Sequence, residues 1–198
     1  VTNASTVIID ASNNIDFDNV WVDLVSTLNM TAGDSIVFNV QLDVDDSVTT
    51  LDAAVDIDMP LVTATSHTTL NMSAGGNITI PLVNLDNSTT DLNAGGTINI
   101  TTLGLTDANT GDGVTNTATA TAVGNIGIDT VGANDSDLTL VSTGGQITVP
   151  DINATSSTML ANAFGDVNFH ELDGVTGDIT LISTNSGVYA QDADSYMK

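Results

Sequence analysis

The sequence predicts an all-β protein, a parallel β-solenoid (β-helix) of about nine coils with a repeat near 20 residues. Three observations lead there. A Gly-containing phrase recurs at nearly constant spacing, each copy is followed by apolar residues in alternation, and the apolar content is Val, Ile, Leu and Ala with only 4% aromatic residues. That composition, filled out with Thr and Asn, is strand and turn chemistry.

The phrase is clearest in Ala74-Gly-Gly-Asn-Ile78-Thr-Ile80 and Ala94-Gly-Gly-Thr-Ile98-Asn-Ile100, with Thr143-Gly-Gly-Gln-Ile147-Thr-Val149 close behind. Anchored on the first apolar residue, the copies fall at Ile15, Ile36, Val55, Ile78, Ile98, Ile126, Ile147, Val167 and Val188. Two places later stand Phe17, Phe38, Ile57, Ile80, Ile100, Ile128, Val149, Phe169 and Ala190. Alternation of period two marks a strand with one buried face, so these side chains point inward. Asp16, Asp56, Thr79, Asn99, Thr148 and Asn168, lying between them, point outward. Five places after the anchor, Val20, Val83, Leu103, Val131, Ile152 and Leu172 indicate a third inward position, which Gln41 and Pro60 interrupt. Leu28-Asn-Met30, Leu70-Asn-Met72, Leu138-Thr-Leu140 and Ile179-Thr-Leu181, just upstream of the Gly turn, supply a second strand per repeat.

Each repeat then makes one coil that stacks on the next at about 4.8 Å and buries its inward residues against its neighbours, giving a rod of roughly 40 Å. The chain reads as a single solenoid domain over 1–198, with 1–10 and 186–198 as terminal segments able to pair with a neighbour. An antiparallel β-sandwich is the alternative, because short strands between Gly and Asn turns suit it too. A sandwich, however, needs neither the constant spacing nor the repeated phrase.

The charge excludes whole classes of partner. Against 25 acidic residues stands one basic residue, Lys198, for a net charge of −24. Phosphate backbones and anionic membranes are bound through Lys and Arg, so neither is a partner. Self-repulsion of this size calls for a salty or calcium-containing medium. With no Cys there is no disulfide, thiolate nucleophile or thiolate metal site. No apolar run reaches the eighteen or so residues that span a bilayer. Val1 in place of an initiator Met, with no charged-then-apolar leader, points to a processed chain or an excised segment.

Gly177-Asp-Ile-Thr-Leu-Ile-Ser-Thr184 and Leu138-Thr-Leu-Val-Ser-Thr-Gly-Gly-Gln-Ile-Thr-Val149 resemble the repeats of filamentous haemagglutinin-type adhesins, over about Ile15 to Ala190. The resemblance implies a right-handed β-helix displayed on a cell surface for attachment. The near absence of Lys and Arg departs from that family and changes the kind of surface such a rod would meet.

Candidate sites are few. The longest interval, from Ile98 to Ile126, holds Asp107-Ala-Asn109-Thr-Gly111-Asp112-Gly113, in which Asp107, Asn109 and Asp112 offer the alternating hard oxygens of a calcium loop. Gly111 stands where a third ligand is usual and no Glu closes the loop, so an ordinary polar turn is the competing reading. Asp43, Asp45 and Asp46 form a second acidic cluster, and Asn134-Asp-Ser-Asp137 a third. A cation would relieve their mutual repulsion. Asp16/Asp18 and Asp56/Asp58 are the best acid–base pairs for a glycan hydrolase, but there is no Arg or Lys before Lys198 to hold an acidic sugar and one Trp for stacking. His67 and His170 are read as surface residues. Eight Asn-x-Ser/Thr sequons, at Asn3, Asn29, Asn71, Asn77, Asn87, Asn99, Asn134 and Asn153, are glycosylation candidates. Thr117-Ala-Thr-Ala-Thr121 has the spacing of an ice-binding strand, but it occurs once.

The expected function is therefore mechanical and not enzymatic: an extracellular or cell-surface rod, either a stretch of a larger adhesin or a filament subunit that polymerises end to end. A calcium-dependent carbohydrate-binding module is the alternative, and an acidic-site glycan hydrolase the third reading. No cofactor other than calcium is expected.

Overall fold

The computed structural model of the chain describes residues 4–106 and 115–190, and only the backbone for 172–176. The first four coils contain β1 (Thr6–Ala11), β2 (Ile15–Val22), β3 (Thr27–Ala32), β4 (Ile36–Asp45), β5 (Val48–Ala53), β6 (Ile57–Asp58), β7 (Leu61–Thr65), β8 (Thr69–Ala74) and β9 (Ile78–Leu85). The next three contain β10 (Thr89–Ala94), β11 (Ile98–Thr106), β12 (Asn116–Ala122), β13 (Ile126–Asn134), β14 (Ser136–Ser142) and β15 (Ile147–Thr155). The stack ends with β16 (Thr158–Ala163), β17 (Val167–Thr176), β18 (Ile179–Ser183) and β19 (Val188–Ala190). Every pairing is parallel and joins a strand to its counterpart one repeat away. This is a β-solenoid of about 8 turns with a repeat of roughly 21 residues, and no antiparallel sandwich.

The strands sort into two stacks, one of nine (β1-β3-β5-β8-β10-β12-β14-β16-β18) and one of ten that runs from β19 back to β2. The second stack bends within each coil, as its burial shows. On β9 the buried residues are Ile78, Ile80, Val83 and Leu85, so the alternation skips a beat at Pro81-Leu82. Two consecutive outward residues mean the chain turns a corner there. The three prolines of the chain, Pro60, Pro81 and Pro150, all stand at this corner, Pro60 between β6 and β7 and the other two within β9 and β15 where the pairing skips a residue, so no ladder hydrogen bond is needed from the missing N–H. In cross-section each coil is three-sided.

The interior is built from in-register columns. Leu28, Thr49, Leu70, Thr90, Ala118, Leu138 and Met159 stack on one another, as do Ile36, Ile57, Ile78, Ile98, Ile126, Ile147 and Val167. Nearly all are fully buried. Burial of this kind contributes about 25 cal/mol per Å² of apolar surface, and each added coil repeats the gain. The partly buried members, Val7, Ile9, Ala11, Phe17, Val20, Ile179 and Leu181, all belong to the first or last described coil.

The structure corrects the third coil. Its anchor is Ile57, opposite Ile36 and Ile78, and Val55 is exposed at the preceding corner. Met59 is the second inward residue and Val62 the third, so Pro60 is an ordinary outward corner residue. Val55-Asp-Ile57-Asp-Met59 alternates throughout, and alternation alone is unchanged by a slip of two residues. Asp56 consequently lies at the corner and not on an outward strand position. Gln41 has a different cause: β4 carries one extra residue against β2 between Phe38 and Gln41, a bulge that leaves Asn39 and Val40 exposed and moves the inward role to Leu42.

Candidate functional site

Two corners carry polar ladders. At the entry to the first stack, Ser26, Ser47, Thr68, Ser88, Asn116, Ser136 and Ser157 are buried, and their side chains take up backbone groups that the turn leaves unpaired. Ser47 Oγ accepts the Ser26 N–H at 3.1 Å, Asn116 Oδ1 the Ser88 N–H at 3.0 Å, and Ser157 Oγ the Ser136 N–H at 3.2 Å. The residue just before each buried Ser or Thr commonly has positive φ, as at Val25, Asp46, His67, Asn87, Asp135 and Ser156.

At the glycine corner the ladder is exposed. The residue before each anchor accepts the N–H of its counterpart one coil on: Asn14 from Ser35, Asp56 from Asn77, Asn77 from Thr97, and Asn125 from Gln146, at 2.6–3.1 Å. The last rung is Asp166, which accepts the Ser186 hydroxyl and the Gly187 N–H. These two bonds hold its carboxyl below the ordinary carboxylate value. Gly75 and Gly95 belong here because their coils pass too closely for a side chain, whereas other coils carry Ala54, Val123, Thr143 and Phe164 on the same rung. A Cβ on Gly95 would lie 2.2 Å from the Gly75 carbonyl oxygen.

The predicted site residues are dispersed. Asp107, Asn109 and Asp112, like Asn3, lie outside the described residues. In the second cluster, Asp43 accepts from Gln41 Nε2 at 2.6 Å and Asp45 from Thr65 Oγ1 at 2.7 Å, while Asp46 turns the corner. In the third, Asn134 ends β13, Asp135 occupies the turn, Ser136 points inward and Asp137 lies outward between Thr117 and Thr158. Among the described residues no three His, Asp or Glu side chains converge on a point that could hold a metal. Asn39 Nδ2 donates to both Asp16 and Asp18, at 2.8 and 3.2 Å, whereas Asp56 serves the ladder and Asp58 lies outward on β6 between Val37 and Thr79. His67 and His170 are both exposed.

The register also separates the charges. Among the described residues, Asp side chains along the paired strands face Thr, Ser, Asn, Val or Trp in the adjacent coils, with one acid pair, Asp151 opposite Glu171, directly opposed. Like charges directly opposite are destabilising, so this spacing lets a chain of net charge −24 coil.

The sequons divide by geometry. Asn87 is buried at a turn and Asn77 is held in the ladder. Asn29 and Asn71 are half-buried on the outer face of the first stack, Asn134 is half-buried at the end of β13, and Asn99 and Asn153 are exposed on the second stack.

One shallow notch was not legible beforehand. A depression of about 260 Å³ on the second stack is lined by Thr79, Pro81, Asn99, Thr101, Gly127 and Asp129. Gly127 has room for a side chain, with Asn99 Oδ1 the nearest atom at 3.6 Å, and Gly132 on the same strand has nothing within 4 Å. These glycines are not required by packing, unlike those of the corner. The notch presents hydroxyl, amide and carboxylate groups to solvent, which suits hydrogen bonding to a polyhydroxylated ligand.

The fold defines a β-helical repeat protein. No known protein family, curated protein or solved structure matches the chain.

Proposed function

We propose that the chain is a rigid extracellular rod of the cell surface or matrix, in the manner of filamentous haemagglutinin-type adhesins, serving as an adhesin stretch or a filament subunit. The observation that carries this reading is the axial stack of parallel coils, whose first and last described coils carry partly buried apolar rungs, Val7 and Ile9 in one and Ile179 and Leu181 in the other. Those rungs suit a further coil, either of the same polypeptide or of a second copy, and a head-to-tail contact of this kind extends without closing. Calcium, held through Asp107, Asn109 and Asp112 or acting by screening, would favour association of such acidic rods. Negative-stain microscopy of the purified chain in high salt and in millimolar calcium tests the proposal. Fibres of uniform width support the subunit; particles that stay single coil stacks under all conditions count against it.

The notch favours a second reading, a carbohydrate-binding module. A glycan array read with and without calcium tests it: saturable binding of a neutral oligosaccharide that is lost in Gly127→Leu would support it, and an empty array would remove it.

A further inference from the structure

The exposed apolar residues are unevenly placed. Among the described residues, Ile8, Trp21, Leu24, Val25, Val40, Val48 and Val55 lie in the first three coils and Phe164, Ile182, Val188 and Tyr189 in the last two, whereas from β8 to the end of β15 the large exposed hydrophobics are represented by Val123 alone. Val25 is the most unusual of these. It has φ 57°, follows Leu24 at φ 60°, and is 68% exposed. A β-branched residue in the left-handed region is strained, and the equivalent corners use Asp46, His67, Asn87, Asp135 and Ser156, of which Asn and Asp tolerate it well. Strain and apolar exposure therefore fall together on Leu24 and Val25, and of the two only Val25 is β-branched.

Val25 does not stand alone. Val48, 42% exposed, shares with it a groove of about 210 Å³ that also includes Asp46 and His67. Apolar walls around an exposed carboxylate match a segment that brings a cationic head to Asp46 and lays neighbouring aliphatic side chains, together with the Lys stem, on Val25 and Val48. Asp23, Asp43 and Asp45 lie within two or three residues of the groove and add to the same field. This chain cannot supply the complement, because its one basic residue is Lys198 and a second copy would bring another −24. Anionic surfaces are repelled for the same reason.

We infer that the corner formed by Val25, Asp46 and Val48 docks an extended Lys-containing segment of a different protein, one whose basic residues alternate with aliphatic ones. This partner site is independent of whether the rod polymerises.

The test uses the full chain and a fluorescent ten-residue peptide alternating Lys and Val, with a Lys–Ser peptide of equal charge as control, read by anisotropy at about 0.15 M salt. Expected is saturable one-to-one binding of the Lys–Val peptide. Val25→Asn with Val48→Thr, which leaves the charge unchanged, should weaken it about tenfold. Val25→Asn should also raise the melting temperature, so lost binding would not reflect lost folding. Asp46→Asn should weaken binding several-fold, and Asp135→Asn, at the matching corner farther along the rod, should leave it unchanged. Equal effects of Asp46→Asn and Asp135→Asn, equal affinity for the Lys–Ser peptide, or an unaltered Val25→Asn/Val48→Thr variant would each overturn the inference.

Discussion

The serine corner and the glycine corner solve one problem in two environments. At both, the chain leaves one strand direction for another, and backbone N–H groups lose their ladder partners. The serine corner satisfies them inside the rod, with Ser47, Asn116 and Ser157 buried and accepting from the coil before. The glycine corner satisfies them at the surface, through Asn14, Asp56, Asn77 and Asn125. Water can replace the second set and not the first. Similar geometry therefore carries different energetic weight, and burial sets it.

The core between the corners sets the largest effect. Ile98→Asp places an unpaired charge in a fully buried column and should abolish folding, a loss of more than about 4 kcal/mol by urea denaturation. Thr148→Asp is the control, since its neighbours Gly127 and Asn168 are uncharged, and it should shift stability by less than about 0.5 kcal/mol. Equal effects would mean that the inward register is wrong.

At the glycine corner the strongest response should come from closing space. Gly95→Ala forces a backbone contact and should cost about 3 kcal/mol, while Gly132→Ala, with open space above it, should be neutral or slightly stabilising in a thermal melt. A harmless Gly95→Ala would show that the two coils can separate.

The ladders themselves give the direct comparison. Asn116→Ala strands the buried Ser88 N–H and should cost about 2 kcal/mol. Asn77→Ala frees an exposed Thr97 N–H that water can take, and about 0.5 kcal/mol is expected. Equal losses in chemical denaturation would remove burial as the explanation.

The smallest effect is the pH response of Asp166. Its carboxyl is held low by Ser186 and then by Gly187, so the unfolded chain binds its proton at higher pH than the folded one. The contribution is complete above the unfolded value near the ordinary 3.8 and disappears as pH falls through the lower folded value. Asp166→Asn should remove that part of the acid dependence, visible as a shallower loss of melting temperature below about pH 4. An identical acid profile would assign the dependence to the other carboxylates.

Much of this was legible in the chain itself. Local alternation and the Gly-Gly phrase determined strand content, the roughly 21-residue repeat and the inward identity of Ile36, Ile78, Ile98, Ile126 and Ile147, because side-chain direction in a strand follows from a period of two. Tertiary structure decided what depends on neighbours a coil away. It chose Ile57 over Val55, since only stacking on Ile36 and Ile78 distinguishes positions two residues apart. It set the bulge at Asn39 and Val40, and it separated the Gly95 type of glycine from Gly127 and Gly132 by what lies above each. It also turned scattered Ser, Asn and Asp residues into ladders and kept nearly every facing pair free of like charge. Hydrogen bonds and charge contacts between residues about 21 apart have no local signature, so they become visible only when the coils are stacked.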